Sequence, residues 1–272
     1  MTNNSENKPL INQLMSSNII TITPDQTLYK AAKIMGENRI GSLVVMMYDT
    51  PVGMITERDL LNTVSQGVDL EKDWIGGGES IRDQNVNSVM SYPVVKICSF
   101  ATLKKAARIM IEKKIRRLLV CDMEKMVGIL TASDMIGNLP EVKENMKAWF
   151  EVDYFMTKNV ITADEKTLVD QIAIMMAKNH IGSVVITKNN EPLGIFTERD
   201  LLTKFLAKNR TLITEVGDIC SSPLITASFG TSINNAASIM TSNNIRRLPI
   251  TKNNKLVGIL SARDLVEAYA RK

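Results

Sequence analysis

The sequence predicts a mixed α/β (α+β) protein built from four β-α-β-β-α repeats that pair into two modules. Two observations lead to this prediction: the chain matches itself at three offsets, and each copy shows the same order of strand and helix patterns. Its 272 residues, 44% of them hydrophobic, are enough to bury two ordinary cores. The repeat therefore decides the domain organisation.

The three offsets define two types of repeat. An offset of 75 residues places the first repeat on the second without a gap. An offset of 141 places the hexapeptide 56–61 on an identical hexapeptide at 197–202, so the third repeat copies the first. An offset of 130 matches the second repeat to the fourth, including 115–118 with 245–248. The order is A-B-A-B, and we call the repeats type A and type B.

The offsets also set the expected boundaries. We expect repeats at residues 10–64, 83–138, 152–206 and 215–270, and modules at 10–139 and 152–270. We interpret the extra residues between the first two repeats, around Gly76-Gly77-Gly78, as a flexible linker, because no phosphate-binding Lys-Ser/Thr follows them. Residues 140–152 are expected to link the modules, with Trp149 and Phe150 packed between them.

Each repeat is expected to contain a helix followed by a hairpin. Between residues 28 and 35, apolar residues recur at i, i+3, i+4 and i+7, which predicts a helix that begins at Pro24 and Asp25. Residues 43–47 and 52–56 read as strands joined by a turn, and a second helix is expected from Thr56. One such repeat is too small to bury its apolar sheet face alone, so pairing is required.

The hairpin turns of the second pair contain Asn-Asn steps, Asn189-Asn190 and Asn253-Asn254. Asparagine tolerates a positive φ, which suits a tight turn.

A family resemblance follows from these motifs. The repeats show a helix with paired alanines (Ala31-Ala32, Ala106-Ala107 and Ala236-Ala237), then Ile-Gly-Ser or Ile-Arg-Arg before a strand, then Gly-x-x-Thr/Ser-x-x-Asp-Leu or a close variant. This combination resembles the cystathionine-beta-synthase (CBS) domain over roughly residues 10–269. The resemblance implies that repeats pair about a pseudo-two-fold axis in Bateman modules, with clefts that bind adenosine ligands.

The end of each motif supplies the candidate ligand site. The predicted ribose- and phosphate-binding residues are Thr56, Asp59, Thr131, Asp134, Thr197, Asp200, Ser261 and Asp264. The resemblance implies that the Asp holds the ribose hydroxyls, and each charge-assisted bond is worth about 1.5–3 kcal/mol. The alternative is a helix capping box, although such a box prefers Glu or Gln where this chain has Asp.

The type-B repeats add adjacent arginines, Arg116-Arg117 and Arg246-Arg247, at the start of a strand. Alternation sends one of each pair toward each face, and the resemblance implies that they face the ligand's phosphates. The alternative is a surface pair that holds an acidic neighbour. The type-A repeats have Gly41-Ser42 and Gly182-Ser183 there, which we interpret as packing residues; the alternative is that their small size admits a ligand.

One further arginine precedes the Asp in three repeats: Arg58, Arg199 and Arg263. We expect these side chains to be cations near the ligand. The second repeat has Ser133 there, so its cleft is expected to bind more weakly.

Composition excludes several other classes. No apolar run approaches the length of a membrane span, and a cytoplasmic location is expected. Cys98, Cys121 and Cys220 form no CxxC pair, so we expect buried free thiols and no metal site. The net charge is +4, but Lys and Arg are interleaved with Asp and Glu along the sequence. This gives a nucleic-acid-binding function little support. His180 is the single histidine and suits no catalytic triad.

The sequence therefore predicts a regulatory sensor and no enzyme. Its ligand is expected to be AMP, ADP or ATP, with NAD or S-adenosylmethionine left open, and no cofactor is required. Ligand binding is expected to alter affinity for a separate effector protein. The alternative is a ligand-free structural adaptor, and a homodimer is left open.

Overall fold

Two compact units make up the described part of the chain. The computed structural model describes residues 10–67, 81, 84–139 and 151–271. One unit holds the described residues of Met1–Ile19, Val95–Asn159 and Ile225–Lys272, and the other holds those of Ile20–Val94 and Val160–Leu224. The first contains both type-B repeats and is called the type-B unit. The second contains both type-A repeats and is called the type-A unit.

Each repeat contains a three-stranded sheet in which a short strand runs parallel to the next and the last two form an antiparallel hairpin. The strands are β1 Thr21–Ile22, β2 Ser42–Met47, β3 Thr50–Thr56, β4 Lys96–Cys98, β5 Arg117–Asp122, β6 Lys125–Thr131, β7 Thr162–Asp164, β8 Ser183–Lys188, β9 Glu191–Thr197, β10 Ala227–Ser228, β11 Arg247–Lys252 and β12 Lys255–Ser261. Every repeat contains both strands and helices, which confirms the predicted mixed α/β class.

Two helices accompany each sheet. They are α1 Leu28–Glu37, α2 Glu57–Gly67, α3 Leu103–Glu112, α4 Ala132–Ile136, α5 Val169–Lys178, α6 Glu198–Asp200, α7 Ile233–Ser242 and α8 Ala262–Arg271. The chain continues from α6 into a π-helical turn, Leu201–Phe205, and a 3-10 turn, Leu206–Lys208.

The predicted helical face of the first repeat is present, but the helix begins later than expected. Leu28, Ala31, Ala32 and Met35 of α1 are buried, which confirms the periodic pattern. The helix begins at Leu28 because Thr27 accepts a hydrogen bond from the Lys30 amide at 3.2 Å and caps its N-terminus. Asp25 lies in the preceding turn and accepts from the Thr23 hydroxyl.

The hairpin turns have the backbone conformation that the asparagines predicted. Asn189 and Asn190 have φ of 52° and 67°, and Asn253 and Asn254 have φ of 50° and 61°. Such left-handed residues are costly for most side chains and tolerable for asparagine. The Asn-Asn prediction is therefore confirmed.

Each unit has one core to which both of its repeats contribute. In the type-B unit, α3 and α4 pack against α8, while in the type-A unit α2 packs against α5 and α1 packs against the turns after α6. The last contact is close, because a Cβ added to Gly36 would lie 2.5 Å from the Cβ of Ala207. In each unit, the two repeats of the same type are thus joined by their apolar helix faces.

Tandem neighbours exchange their first segments. The amide of Ser16, at the start of the first repeat, donates to the Ile129 carbonyl of the second repeat at 2.9 Å. The Met54 amide of the first repeat donates to the Ser91 carbonyl, at the start of the second, at 3.0 Å. The third and fourth repeats exchange segments in the same way. Each repeat is therefore completed by the opening segment of its tandem neighbour.

This exchange explains the glycine of the repeat motif. A Cβ added to Gly53 would lie 2.9 Å from the Ser91 carbonyl oxygen, and one added to Gly194 would lie 2.7 Å from the Ser221 carbonyl oxygen. At Gly128 the added atom would lie 2.5 Å from the sulfur of Met15. The glycine is required because the exchanged segment lies directly on it.

The compact units cut across the predicted modules, 10–139 and 152–270, because each unit takes one repeat from each module. The helix faces that form the two cores decide this division, and the predicted modules stay a prediction. The Gly76-Gly77-Gly78 linker and the packing of Trp149 and Phe150 lie outside the described residues.

Candidate ligand site

The Thr or Ser and the Asp of each motif form a cap on the helix that follows the hairpin. In the third repeat, the amide and hydroxyl of Thr197 donate to Oδ2 of Asp200 at 2.9 and 2.6 Å. The amide-to-Oδ2 bond recurs between Thr56 and Asp59 at 2.8 Å, Thr131 and Asp134 at 2.8 Å, and Ser261 and Asp264 at 2.7 Å. Capping is thus one role of all four pairs, and their ligand-binding role stays a prediction.

The type-B repeats place an arginine beside this cap. Arg117 pairs with Thr131 across β5 and β6, and Arg247 pairs with Ser261 across β11 and β12. In the fourth repeat this brings the Arg247 guanidinium within electrostatic reach of the Asp264 carboxylate. The described structure therefore brings together the predicted ribose-binding acid and one predicted phosphate-binding cation.

Asp264 is partly buried, and burial of its carboxyl raises its pKa above the ordinary value. Hydrogen bonds from Ser261 and the positive charge of Arg247 act in the opposite direction. Glu267 adds to the increase. The carboxylate at this position is thus costly to bury and is stabilised by the groups that the motif places around it.

The other arginine of each pair contributes through its backbone. The carbonyl of Arg116 accepts from the Ala132 amide at 2.9 Å, and that of Arg246 accepts from the Ala262 amide at 3.2 Å. These bonds hold the start of α4 and α8. Arg117 and Arg247 are therefore the members of the predicted phosphate-binding set whose positions face the cap.

The type-A repeats have small residues where the type-B repeats have these arginines. Ser42 pairs with Thr56, and Ser183 pairs with Thr197, and both serines are buried. The Gly41 carbonyl accepts from the Glu57 amide at 3.1 Å. The arrangement fits the packing role expected of Gly41-Ser42 and Gly182-Ser183.

Asp200 has a cation of its own that the sequence analysis missed. Lys204 Nζ lies 2.7 Å from Oδ1 of Asp200 and donates to the Ile219 carbonyl at 2.6 Å. The Ser221 hydroxyl lies 3.4 Å from the same Oδ1. The i, i+4 spacing of Asp200 and Lys204 is the signal that could have revealed the pair.

The arginines expected near the ligand in the type-A repeats form a reciprocal ion-pair network. Arg58 Nε donates to Oε1 of Glu198 at 2.7 Å, and Arg199 Nε donates to Oε1 of Glu57. Arg58 also donates to the backbone carbonyl of His180 at 3.1 Å. Arg58 and Arg199 thus each pair with a buried glutamate of the other type-A repeat, and their expected place near the ligand stays a prediction. The type-B repeats have Ala132 and Ala262 at the glutamate positions.

Family comparison agrees with the repeat. The CBS domain matches the chain at four places, residues 11–66, 86–141, 151–207 and 216–271. These matches cover more than half of the sequence. The chain belongs to the CBS domain family.

Related proteins extend the comparison to most of the CBS chain. An uncharacterized protein of Methanocaldococcus jannaschii is 28% identical over 97% of this chain and 62% of its own length. An uncharacterized protein of Methanopyrus kandleri is 38% identical over 40% of this chain and 58% of its own length. The chain thus spans about three fifths of these relatives. A second M. jannaschii protein is 30% identical over 68% of this chain and 69% of its length.

Two crystal structures share the fold over most of the CBS chain. The structure of that second M. jannaschii protein, proposed to be an archaeal homolog of g-AMPK, has a TM-score of 0.78 at 20% identity. It covers 96% of this chain and 100% of its own. A conserved Pyrococcus horikoshii protein has a TM-score of 0.63 at 21% identity, with the same coverage. These likenesses support the four-repeat CBS fold.

Some expectations concern features other than the CBS motif. Among the described residues, no cluster of three or more His, Cys, Asp or Glu side chains could hold a metal ion. None of the described helices has the length and apolarity to span a membrane. The cysteines differ from the expected buried thiols, because Cys121 is buried, Cys220 is half-buried and Cys98 is exposed.

Proposed function

We propose that this CBS protein is a regulatory sensor that binds AMP, ADP or ATP and signals to a separate effector protein. The observation that supports it most directly is the pairing of Arg247 with the Asp264 cap. An adenine nucleotide has a ribose diol that donates hydrogen bonds and phosphates that need cations, so one strand pair in the fourth repeat offers both kinds of partner. NAD and S-adenosylmethionine remain alternative ligands. A cytoplasmic location and the absence of catalysis are part of the proposal.

Titration calorimetry of the full chain with AMP, ADP, ATP, NAD and S-adenosylmethionine tests ligand binding. We expect Arg247→Met to weaken binding of the phosphate-bearing ligands at one site by about 10- to 100-fold, because a charge-assisted bond is worth about 1.5–3 kcal/mol. Adenosine lacks a phosphate, so its affinity should be unchanged. Arg108→Met is the matched control, because Arg108 is an exposed arginine of the same unit.

The adaptor alternative has its own support, since the four aspartates already serve as caps and Asp200 is paired with Lys204. It predicts no thermal shift with any ligand, provided that the purified protein is first shown to be free of nucleotide. The sensor predicts a shift for at least one ligand, worth about 2.7 kcal/mol at 100 times its Kd. Equal affinity of wild type and Arg247→Met would remove Arg247 from the site.

The effector is the second part of the proposal. A ligand can alter partner affinity only by binding the two states of the sensor unequally, and the linkage is reciprocal. Once an effector is in hand, its presence should therefore change the nucleotide Kd by the same factor by which nucleotide changes the effector Kd. A homodimer is one further state to examine in the same experiments.

A further inference from the structure

Two cysteines of the second repeat lie side by side in one sheet. Strands β4 and β5 are parallel neighbours, and their register pairs Cys98 with Cys121. The Ser99 amide donates to the Cys121 carbonyl at 2.9 Å, which holds the end of β4 against β5. Paired residues on neighbouring strands are roughly 4.8 Å apart, within the approximate 4.4–6.8 Å that a disulfide allows between Cα atoms.

The two side chains share a face of the sheet. Ile97 and Val120, the pair before the cysteines, both belong to the core of the type-B unit. Side chains alternate along a strand, so Cys98 and Cys121 project from the opposite face. Cys98 is also the last residue of β4.

The thiols differ in access. Cys98 is exposed, whereas Cys121 is only 7% exposed. Burial raises the pKa of the Cys121 thiol, and the charge of Lys96 opposes this increase. An oxidant in solution therefore reaches Cys98 first, and the thiol of Cys121 beside it is favoured in its protonated form.

The fold does not require cysteine at these positions. The corresponding pairs in the other repeats are Thr23 with Met46, Asp164 with Thr187, and Ser228 with Thr251. In the third repeat, the Thr187 hydroxyl donates to the Ala163 carbonyl at 3.2 Å. The second repeat has two thiols in place of such a hydroxyl-to-carbonyl hydrogen bond. The third cysteine, Cys220, belongs to the other unit.

We propose that Cys98 and Cys121 form a reversible disulfide when the protein reacts with a peroxide. The Cys98 thiolate attacks one peroxide oxygen and the O–O bond breaks, leaving a sulfenic acid on Cys98 and releasing an alcohol or water. The Cys121 sulfur then attacks the Cys98 sulfur; the S–S bond forms, the S–O bond breaks and water leaves. The two thiols are oxidised by two electrons, and the peroxide is reduced by the same two. This modification is independent of the proposed nucleotide function.

Peptide mapping of the native full chain tests the proposal. The protein is treated with hydrogen peroxide, quenched in acid, alkylated and digested with trypsin without reductant. We expect a linked pair of peptides, 97–104 with 118–125, that is absent before oxidation and is lost on treatment with dithiothreitol. The Cys220→Ser variant serves as the matched control and should give the same linked pair. Cys121→Ser, or Cys121→Ala if serine disturbs folding, should instead stop at oxidised Cys98.

Three results would overturn the proposal. The first is Cys98 overoxidised to a sulfinic acid in the native wild type without linked peptide. The second is a linked peptide that forms only after denaturation. The third is a Cys98 disulfide between two chains, which would appear as a dimer on a non-reducing gel.

Discussion

Arg58 of the first repeat donates from Nε to Oε1 of Glu198 in the third repeat at 2.7 Å, across 140 positions of sequence. The glutamate side chain is 5% exposed and the arginine side chain 33% exposed. The same contact occurs in reverse between Glu57 and Arg199. This reciprocal pair joins like repeats in the type-A unit, and alanines at the equivalent type-B positions cannot form it.

Removing one partner of this pair should destabilise the protein. We expect Glu198→Gln to lower the free energy of unfolding by about 1–3 kcal/mol, below the roughly 3–5 kcal/mol of a fully buried pair because Arg58 is partly exposed. Glu37→Gln is the matched control, since it removes an exposed i, i+4 pair with Lys33 in the same unit worth about 0.3–0.5 kcal/mol. Urea unfolding of both variants measures the difference. Equal losses would show that the network contributes no more than a surface pair.

The exchanged segments predict that a glycine of the repeat motif does not tolerate a larger side chain. We expect Gly53→Ala to cost about 1–3 kcal/mol, because the added methyl would lie 2.9 Å from the Ser91 backbone oxygen and from the Met90 sulfur. Gly137→Ala is the control, since its nearest neighbour is a Thr241 methyl at 3.2 Å. Thermal unfolding distinguishes them. A Gly53→Ala protein as stable as Gly137→Ala would mean that the opening segment can move aside freely.

Asp264 predicts a pH dependence of defined sign. Its folded-state pKa is raised by burial, so its contribution to stability is present in full at low pH and is lost as pH rises through the folded-state pKa. Asp264→Asn removes this ionisation, and its stability relative to wild type should therefore improve between about pH 3 and pH 7. Urea unfolding across this range measures the trend.

Asp25 supplies the opposite control, because a hydrogen bond from Thr23 lowers its pKa. Asp25→Asn should lose stability relative to wild type as pH rises through the same range. Parallel trends for the two variants would contradict the assignment of Asp264.

Asp200 tests capping and ligand binding together. We expect Asp200→Ala to lower the free energy of unfolding by about 0.5–2 kcal/mol in the absence of ligand, since the cap on Thr197 is lost. If Asp200 also holds a ribose, calorimetry should show one binding event fewer. Lys204→Met is the companion variant, because it keeps the cap and removes the cation at 2.7 Å, together with its hydrogen bond to the Ile219 carbonyl. Unchanged ligand affinity in Asp200→Ala would leave this residue with the structural role alone.

Much of each repeat was predictable because its causes are local. The spacing of Leu28, Ala31, Ala32 and Met35 depends only on the turn of a helix, and the Asn189-Asn190 step depends only on its own φ angles. The Thr-to-Asp cap joins residues three apart. The start of α1 was missed because Thr27 competes with Pro24 and Asp25 as a helix cap, and the hydrogen bond that Thr27 accepts from the Lys30 amide decides between them.

The sequence by itself determined the four repeats, their A-B-A-B order and the residues that form each cap, since all of these follow from periodicity and neighbours in the chain. Only the tertiary structure decided that Arg58 pairs with Glu198, that Met15 lies against Gly128 and that Cys98 faces Cys121. These partners are 23 to 140 positions apart. Many side chains could meet at such separations, and the partner is selected by which apolar helix faces and strand edges pack together.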